Sequence, residues 1–165
     1  MKRFFLLAAF LVAFSTTTNA QFQPSFAITA GLPTGDVDDQ SSFALSADLY
    51  FMKSINSTLG LGVTTGYSIY FSEEATIAGV TVDPPNTSYL PLAGAIRLNL
   101  TNDLSFGADL GYAFGLSDNV DGGFYYKPTV GFNIGSSSQL MLSYQGISED
   151  GFNVNYIGLG FAFGL

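Results

Sequence analysis

The chain has no cysteine and no histidine. Without cysteine there are no disulfides, no thiolate chemistry and no cysteine-ligated zinc. Without histidine the commonest acid–base side chain and the commonest metal ligand are missing. Charge is scarce as well: 11% of residues are charged, against roughly 25% in an average globular chain. After the first residues there is no long apolar run. No later stretch approaches the ~18 unbroken apolar residues expected of a membrane-crossing helix. Yet 47% of the chain is hydrophobic and its mean hydropathy is +0.32. The apolar residues are dispersed through the chain instead of gathered in blocks.

The start of the chain is the exception. Lys2 and Arg3 form a basic segment, residues 4–14 an apolar one, and Thr18, Asn19 and Ala20 a small-residue cleavage site. This is the order of a secretory signal peptide, too short to span a bilayer as a helix. Cleavage after Ala20 would leave one domain, residues 21–165, beginning at Gln21.

The end of the chain shows how the apolar residues are dispersed. Ile157, Leu159, Phe161, Phe163 and Leu165 alternate with Gly158, Gly160, Ala162 and Gly164. A period of two marks a strand with two unlike faces. One face here is bulky and apolar; the other carries neither bulk nor charge. A soluble protein would place lysine, glutamate or threonine opposite its core. Large apolar side chains toward lipid, with small or polar ones toward a lumen, are the pattern of a transmembrane β-barrel strand.

Eight such segments are predicted, at 24–32, 43–52, 58–71, 89–100, 104–116, 124–134, 139–147 and 156–165. Segments of about ten residues suit tilted strands crossing the hydrocarbon layer. The connections alternate between short (53–57, 101–103, 135–138) and longer (33–42, 72–88, 117–123). The tight Asp150-Gly151 turn joins the last two strands. The expected fold is therefore all-β, an eight-stranded antiparallel up-and-down transmembrane β-barrel. Aromatics including Tyr67, Phe71, Tyr112, Phe114, Phe124 and Tyr126 gather toward the long-loop ends. Those facing outward would form a girdle at headgroup level.

Three stretches resemble the small outer-membrane β-barrels of Gram-negative bacteria, the OmpA- and OmpX-like domains. They are Gly31-Leu32-Pro33-Thr34-Gly35-Asp36, then Tyr89-Leu90-Pro91-Leu92-Ala93-Gly94-Ala95-Ile96-Arg97, and the terminal strand. The resemblance covers residues 21–165. It implies an integral outer-membrane protein with both termini in the periplasm and the long acidic loops outside the cell. It also implies that Phe161, Phe163 and Leu165 act as the signal read by the barrel-assembly machinery. In that signal the last residue is usually aromatic; here it is Leu165. The cell-wall tethering of full-length OmpA-type proteins is not expected to carry over.

An eight-stranded barrel is only wide enough inside for its own side chains. The expected lumen face mixes glycines with Tyr50, Tyr70, Tyr125 and Tyr156, so a plugged tube is predicted. Four charges fall on that face: Asp48, Arg97, Asp109 and Lys127. If Leu100 pairs with Leu104, Arg97 stands opposite Gly107 and diagonal to Asp109. Lys127 is then expected opposite Gly111 or Ala113. An Arg97–Asp109–Lys127 cluster with Asp48 reaching in follows, read as an ion-pair network filling the lumen, or alternatively as a gate or proton path.

Removing Lys2 and Arg3 leaves three basic residues against thirteen acidic ones, a net charge of −10. Most of the acids lie toward the long loops, as a solvated surface. Asp36, Asp38 and Asp39 are close enough in sequence to suggest a divalent cation bridging to anionic lipopolysaccharide, although their spacing matches no complete calcium loop. So acidic a chain argues against nucleic acid. No cofactor is expected.

The functional expectation is a non-enzymatic, monomeric outer-membrane barrel with a structural or adhesion-type surface role. Its partners would be membrane lipid, lipopolysaccharide, the assembly machinery and any extracellular ligand of the loops. The main alternative is a narrow pore or transport component for small molecules. Two others are a membrane-embedded enzyme, lacking here any serine–lysine or paired-aspartate rim site, and a soluble lipocalin-like barrel, whose charge-poor exterior would precipitate.

Overall fold

The computed structural model describes residues 22–35, 41–73, 75–77, 80–82, 84–117, 120–135, 137–149 and 151–165. The expected signal peptide lies outside these residues. Ten strands follow one another: β1 (Gln23–Gly35), β2 (Ser41–Ser54), β3 (Leu59–Ser72), β4 (Ala75–Ile77), β5 (Val80–Val82), β6 (Thr87–Asn99), β7 (Leu104–Gly115), β8 (Gly122–Asn133), β9 (Ser138–Glu149) and β10 (Phe152–Gly164). Eight of them close into a barrel in the order β1-β10-β9-β8-β7-β6-β3-β2. Every pairing is antiparallel, and β10 closes the ring against β1, with Phe26 opposite Phe163 and Ile28 opposite Phe161. No strand of the ring is left with an unpaired edge.

The alternation read from the sequence sets the two faces. On β2, Ala44, Ser46, Asp48 and Tyr50 are buried while Leu49 and Phe51 are exposed. On β10, Gly158 and Gly160 are buried between exposed Ile157 and Leu159. Outward side chains are apolar around the whole ring: Ile28 is 48% exposed, Leu110 56%, Phe132 54% and Leu159 61%. Of the long-loop aromatics, Tyr67, Tyr112, Phe114 and Phe124 are exposed on that outer face, whereas Tyr70, Tyr89 and Tyr125 are buried. Two apolar clusters fill the interior. One surrounds Tyr70, Tyr89, Tyr125, Ile147, Val154 and Tyr156 toward the long connections. The other joins Ala27, Tyr50, Ala95 and Met141 toward the short turns.

The three short turns share one hydrogen bond: Ile55 N–H to Leu59 O, Leu100 N–H to Leu104 O and Ile134 N–H to Ser138 O, at 2.8–2.9 Å. Side chains complete two of them. Asn56 Oδ1 accepts from the amides of Thr58 and Leu59, and Thr101 Oγ1 accepts from those of Asp103 and Leu104. These are the local bonds that make asparagine and threonine turn formers. At the other end Glu149 pairs with Phe152, leaving a two-residue turn in which Gly151 takes φ +91°.

Several features differ from the sequence reading, among them the terminal strand β10, which begins at Phe152 instead of 156. The connection expected at 72–88 carries the small β4–β5 hairpin, with Thr76 opposite Thr81. The seventh barrel strand, β9, runs to Glu149 instead of ending at 147. Two prolines sit inside barrel strands. The β3–β6 register lacks partners across Pro91, and the β8–β9 register lacks them across Pro128, because proline brings no N–H to the ladder. Beside the first, Thr65 Oγ1 donates to Pro91 O at 3.0 Å.

Candidate functional site

The charged residues singled out on the lumen face are held by β2 (Asp48), β6 (Arg97), β7 (Asp109) and β8 (Lys127). Strand alternation turns all four inward, and they resolve into two ion pairs. Arg97 stands opposite Gly107 in the register and reaches diagonally to Asp109, with Nη1 2.6 Å from Oδ1. Lys127 is opposite Asp109, not Gly111 or Ala113. The expected register between the fifth and sixth segments was therefore shifted. That pairing is set by the close return of the chain after β7, where Phe114 already pairs with Gly122.

Nor does the Lys127 ammonium pair with its cross-strand neighbour. It spans the lumen to Asp48 Oδ2 at 2.6 Å. β8 and β2 lie four places apart in the ring of eight, so this bond runs across the full width of the barrel. Burial is complete on both sides, with side-chain exposures of 0% and 1%.

Hydroxyls and one amide extend the two pairs into a network. Asp48 Oδ2 also accepts from Ser46 Oγ at 3.1 Å. Tyr156 OH lies 2.8 Å from Ser46 Oγ and 3.1 Å from Gln145 Oε1. Gln145 Nε2 donates to Ser68 Oγ at 3.0 Å, again between strands four places apart in the ring, β9 and β3. On the other pair, Tyr50 OH donates to Asp109 Oδ2 at 3.0 Å, and the Arg97 guanidinium lies 4.8 Å from the Tyr50 ring centre. Both carboxylate oxygens of Asp109 are thus engaged, and two cations balance two carboxylates. A buried charge needs such partners whatever its role. Lys127, Gln145 and the hydroxyls act as spokes that tie opposite walls together.

A cavity of about 120 Å³ opens at the short-turn end between Tyr50, Met52, Arg97, Gln139, Met141 and Ala162. Arg97 and Tyr50, joined at Asp109, lie at its wall. At the long-connection end a tyrosine cluster lies inside the barrel, Tyr70 meeting Tyr89 and Tyr156 edge-on at 6.0 and 5.9 Å.

Gly107 makes room for Arg97. A Cβ built on it would lie 2.6–2.8 Å from Arg97 Cδ, Nη1 and Nε. Gly107→Ala is therefore expected to push the guanidinium off Asp109, losing about 1–3 kcal/mol, read as an earlier urea midpoint. Gly60→Ala is the control, since its Cβ would meet nothing nearer than Met52 Cε at 3.7 Å; it should leave the midpoint in place.

Asp36, Asp38 and Asp39 lie outside the described residues. Among the described residues no group of three potential metal ligands gathers. Phe161 and Phe163 sit on the outward face of β10, their rings 4.7 Å apart, and Leu165 N–H closes the seam by donating to Pro24 O at 2.9 Å. The sequence reading missed Gln145, Ser46 and Ser68. The only signal available for them was their place on the inward phase of their strands.

No protein-family model matches the chain, and no curated protein matches it. Solved structures do. The attachment invasion locus protein of Yersinia pestis, Ail, is 14% identical; the match covers 88% of this chain and 99% of that one, with a TM-score of 0.62. Ail in complex with the heparin analogue sucrose octasulfate matches at 14% identity, 87% and 97% coverage and a TM-score of 0.58. The de novo designed TMB2.3 matches at 11% identity, 90% and 98% coverage and the same score, 0.58. At such identities the likeness is one of architecture, and the chain has the fold of the small eight-stranded outer-membrane β-barrels.

Proposed function

We propose that this chain is an integral outer-membrane protein without enzymatic activity, serving a structural or adhesion-type surface role around a lumen filled by its own side chains. One observation carries the reading: Asp48, Arg97, Asp109 and Lys127 point inward and are paired, the other described strand charges, Lys53 and Glu149, lie within one residue of a strand end, and bulky apolar side chains point outward on all eight barrel strands. In water so large an apolar exterior would be an aggregation surface. In hydrocarbon it is the solvated face, and the closed ring leaves no backbone edge unsatisfied.

The orientation follows the usual asymmetry of such barrels. Both chain ends and the short turns share one end, assigned to the periplasm; the longer connections share the other, assigned to the exterior. Phe161, Phe163 and Leu165 are assigned to recognition by the assembly machinery. Asp36, Asp38 and Asp39, with the other loop acids, are assigned to the outer surface, where a divalent cation can bridge them to lipopolysaccharide. The same acids disfavour a polyanion such as the heparin analogue bound by Ail, because like charges would have to be brought together. The Asp48–Lys127 and Arg97–Asp109 pairs are assigned a structural role, bracing a narrow tube.

Two measurements test this. Salt or osmotic shock should leave the protein in the membrane fraction, and only detergent should release it. Release without detergent would overturn the membrane assignment. Purified protein in planar bilayers should show no stepwise conductance, since the Lys127–Asp48 bond spans the lumen and the tyrosine cluster lies inside it. Steady, reproducible openings would overturn the filled lumen and favour a pore.

A further inference from the structure

The Arg97 guanidinium is fixed in place but only partly used. It lies over the Tyr50 ring, 4.8 Å from the ring centre. Gly107 brings bare backbone against it, so that a Cβ there would lie 2.7 Å from Nη1 and 2.8 Å from Nε. Nη1 is engaged within the wall, donating to Asp109 Oδ1 at 2.6 Å and to Ile96 O at 2.9 Å. Nε and Nη2 have no partner among the described residues, and neither is sealed from solvent. Together these two nitrogens form one edge of the planar group, a fork that matches the two oxygens of a carboxylate. Asp109 does not use that edge. It accepts from Nη1 on one oxygen, and its other oxygen accepts from Tyr50 OH at 3.0 Å.

Arg97 lines the cavity at the short-turn end, and among the described residues it is the one charged side chain to do so. Asp109, fully buried, stands behind it and outside the lining. The amides of the lining donate elsewhere: Gln139 Nε2 to Ser105 Oγ and Asn133 Oδ1, and Asn99 Nδ2 to Ser57 O. The guanidinium is therefore the strongest donor left to the cavity. Across from this charge, Met52, Met141 and Ala162 make the wall apolar. The volume of about 120 Å³ equals the share of roughly four water molecules at ~30 Å³ each.

We propose that this cup is a binding site for a small monocarboxylate, its two oxygens held by Nε and Nη2 of Arg97 and its short aliphatic tail set against Met52, Met141 and Ala162. The volume limits the tail to a few carbon atoms. The charge limits the ligand to a single negative charge, because the guanidinium is already shared with Asp109. Phosphate could meet the fork, but its remaining oxygens would face the methionines without a donor, and desolvating them there is costly. The long connections that carry most of the acids lie at the opposite end of the barrel, so an anion reaches the cup without passing them. For the same reason, loss of this site would leave the surface role untouched.

Isotopically labelled propionate, added to the folded protein in non-ionic detergent, should show saturable line broadening by nuclear magnetic resonance. Unlabelled acetate should displace it; chloride at equal ionic strength should not. Ala162→Leu fills the cup and leaves the Arg97–Asp109 pair in place. It should weaken binding at least about tenfold, the loss expected when charge-assisted hydrogen bonds are denied. Arg97→Gln should do the same. Should Ala162→Leu fail to fold, Ser25→Leu narrows the cup from β1 instead. Broadening that never saturates, that chloride relieves as well as acetate does, or that survives in Ala162→Leu overturns the site and leaves an adventitious anion only. Phosphate displacing propionate more strongly than acetate does would overturn the carboxylate as occupant. None of these results bears on the membrane reading, which release by detergent tests separately.

Discussion

Lys127→Met is expected to lower the unfolding free energy of the barrel by about 3–5 kcal/mol, the range for breaking a buried ion pair by removing one partner. The residue and its carboxylate are buried together, at 0% and 1% side-chain exposure. With the ammonium gone, Asp48 keeps only the Ser46 hydroxyl in a space that solvent does not reach. The loss comes from the stranded charge more than from the missing contact. Adding Asp48→Asn should therefore restore at least half of it, since an amide still accepts from Ser46 and carries no charge. Arg97→Gln should cost less than Lys127→Met. Arg97 borders the open cup, its side chain is 16% exposed, and Asp109 retains the Tyr50 hydroxyl. Urea titrations of vesicle-reconstituted protein, followed by circular dichroism, give the values for the three variants and the parent. If the double variant were as unstable as Lys127→Met alone, the pair would not be bracing the walls through its charges.

The sequence made the barrel legible because a membrane barrel writes its two solvents into a period of two. Leu45, Leu49 and Phe51 against Ser46, Asp48 and Tyr50 leave one way to face each strand, and a slip by one residue would turn Asp48 into hydrocarbon. The Arg97–Gly107 register was readable for a related reason: a three-residue turn fixes the alignment of the strands beside it. The partner of Lys127 was not readable. Pairing along the chain names neighbours in the sheet, whereas the Lys127–Asp48 bond joins strands on opposite sides of the ring. That proximity comes from closure and from the narrow bore, which no local pattern records. The β4–β5 hairpin was written in the sequence, as Ala75-Thr76-Ile77 and Val80-Thr81-Val82 around Ala78-Gly79. Its strands are three residues each, too short for alternation to stand out from loop composition. The expected seventh segment, 139–147, stopped before Glu149 because the outward positions of β9 cease to be apolar at Gly146.

Leu159→Arg tests the facing assignment from the other side. Leu159 is 61% exposed, near the middle of β10, between Ala30 on β1 and Leu142 on β9. An arginine on the lipid face near the midplane costs about 2–4 kcal/mol, a large share of the roughly 5–15 kcal/mol that holds a domain folded. The variant is expected to accumulate unfolded, with little heat-modifiable barrel in the membrane fraction. Because β10 also carries the proposed assembly signal, Leu110→Arg on β7, 56% exposed, provides the same insult away from it and should fail in the same way. Ala162→Ser makes the opposite substitution in the same strand. Ala162 faces inward and lines the cup beside Ser25 and Gln139 as well as Met52 and Met141, so an added hydroxyl joins a wall of mixed polarity, and assembly should proceed as in the parent. The contrast depends only on which solvent each side chain meets. Equal folding yields for Leu159→Arg and Ala162→Ser would mean that the bulky face does not meet hydrocarbon, whatever the shape of the barrel.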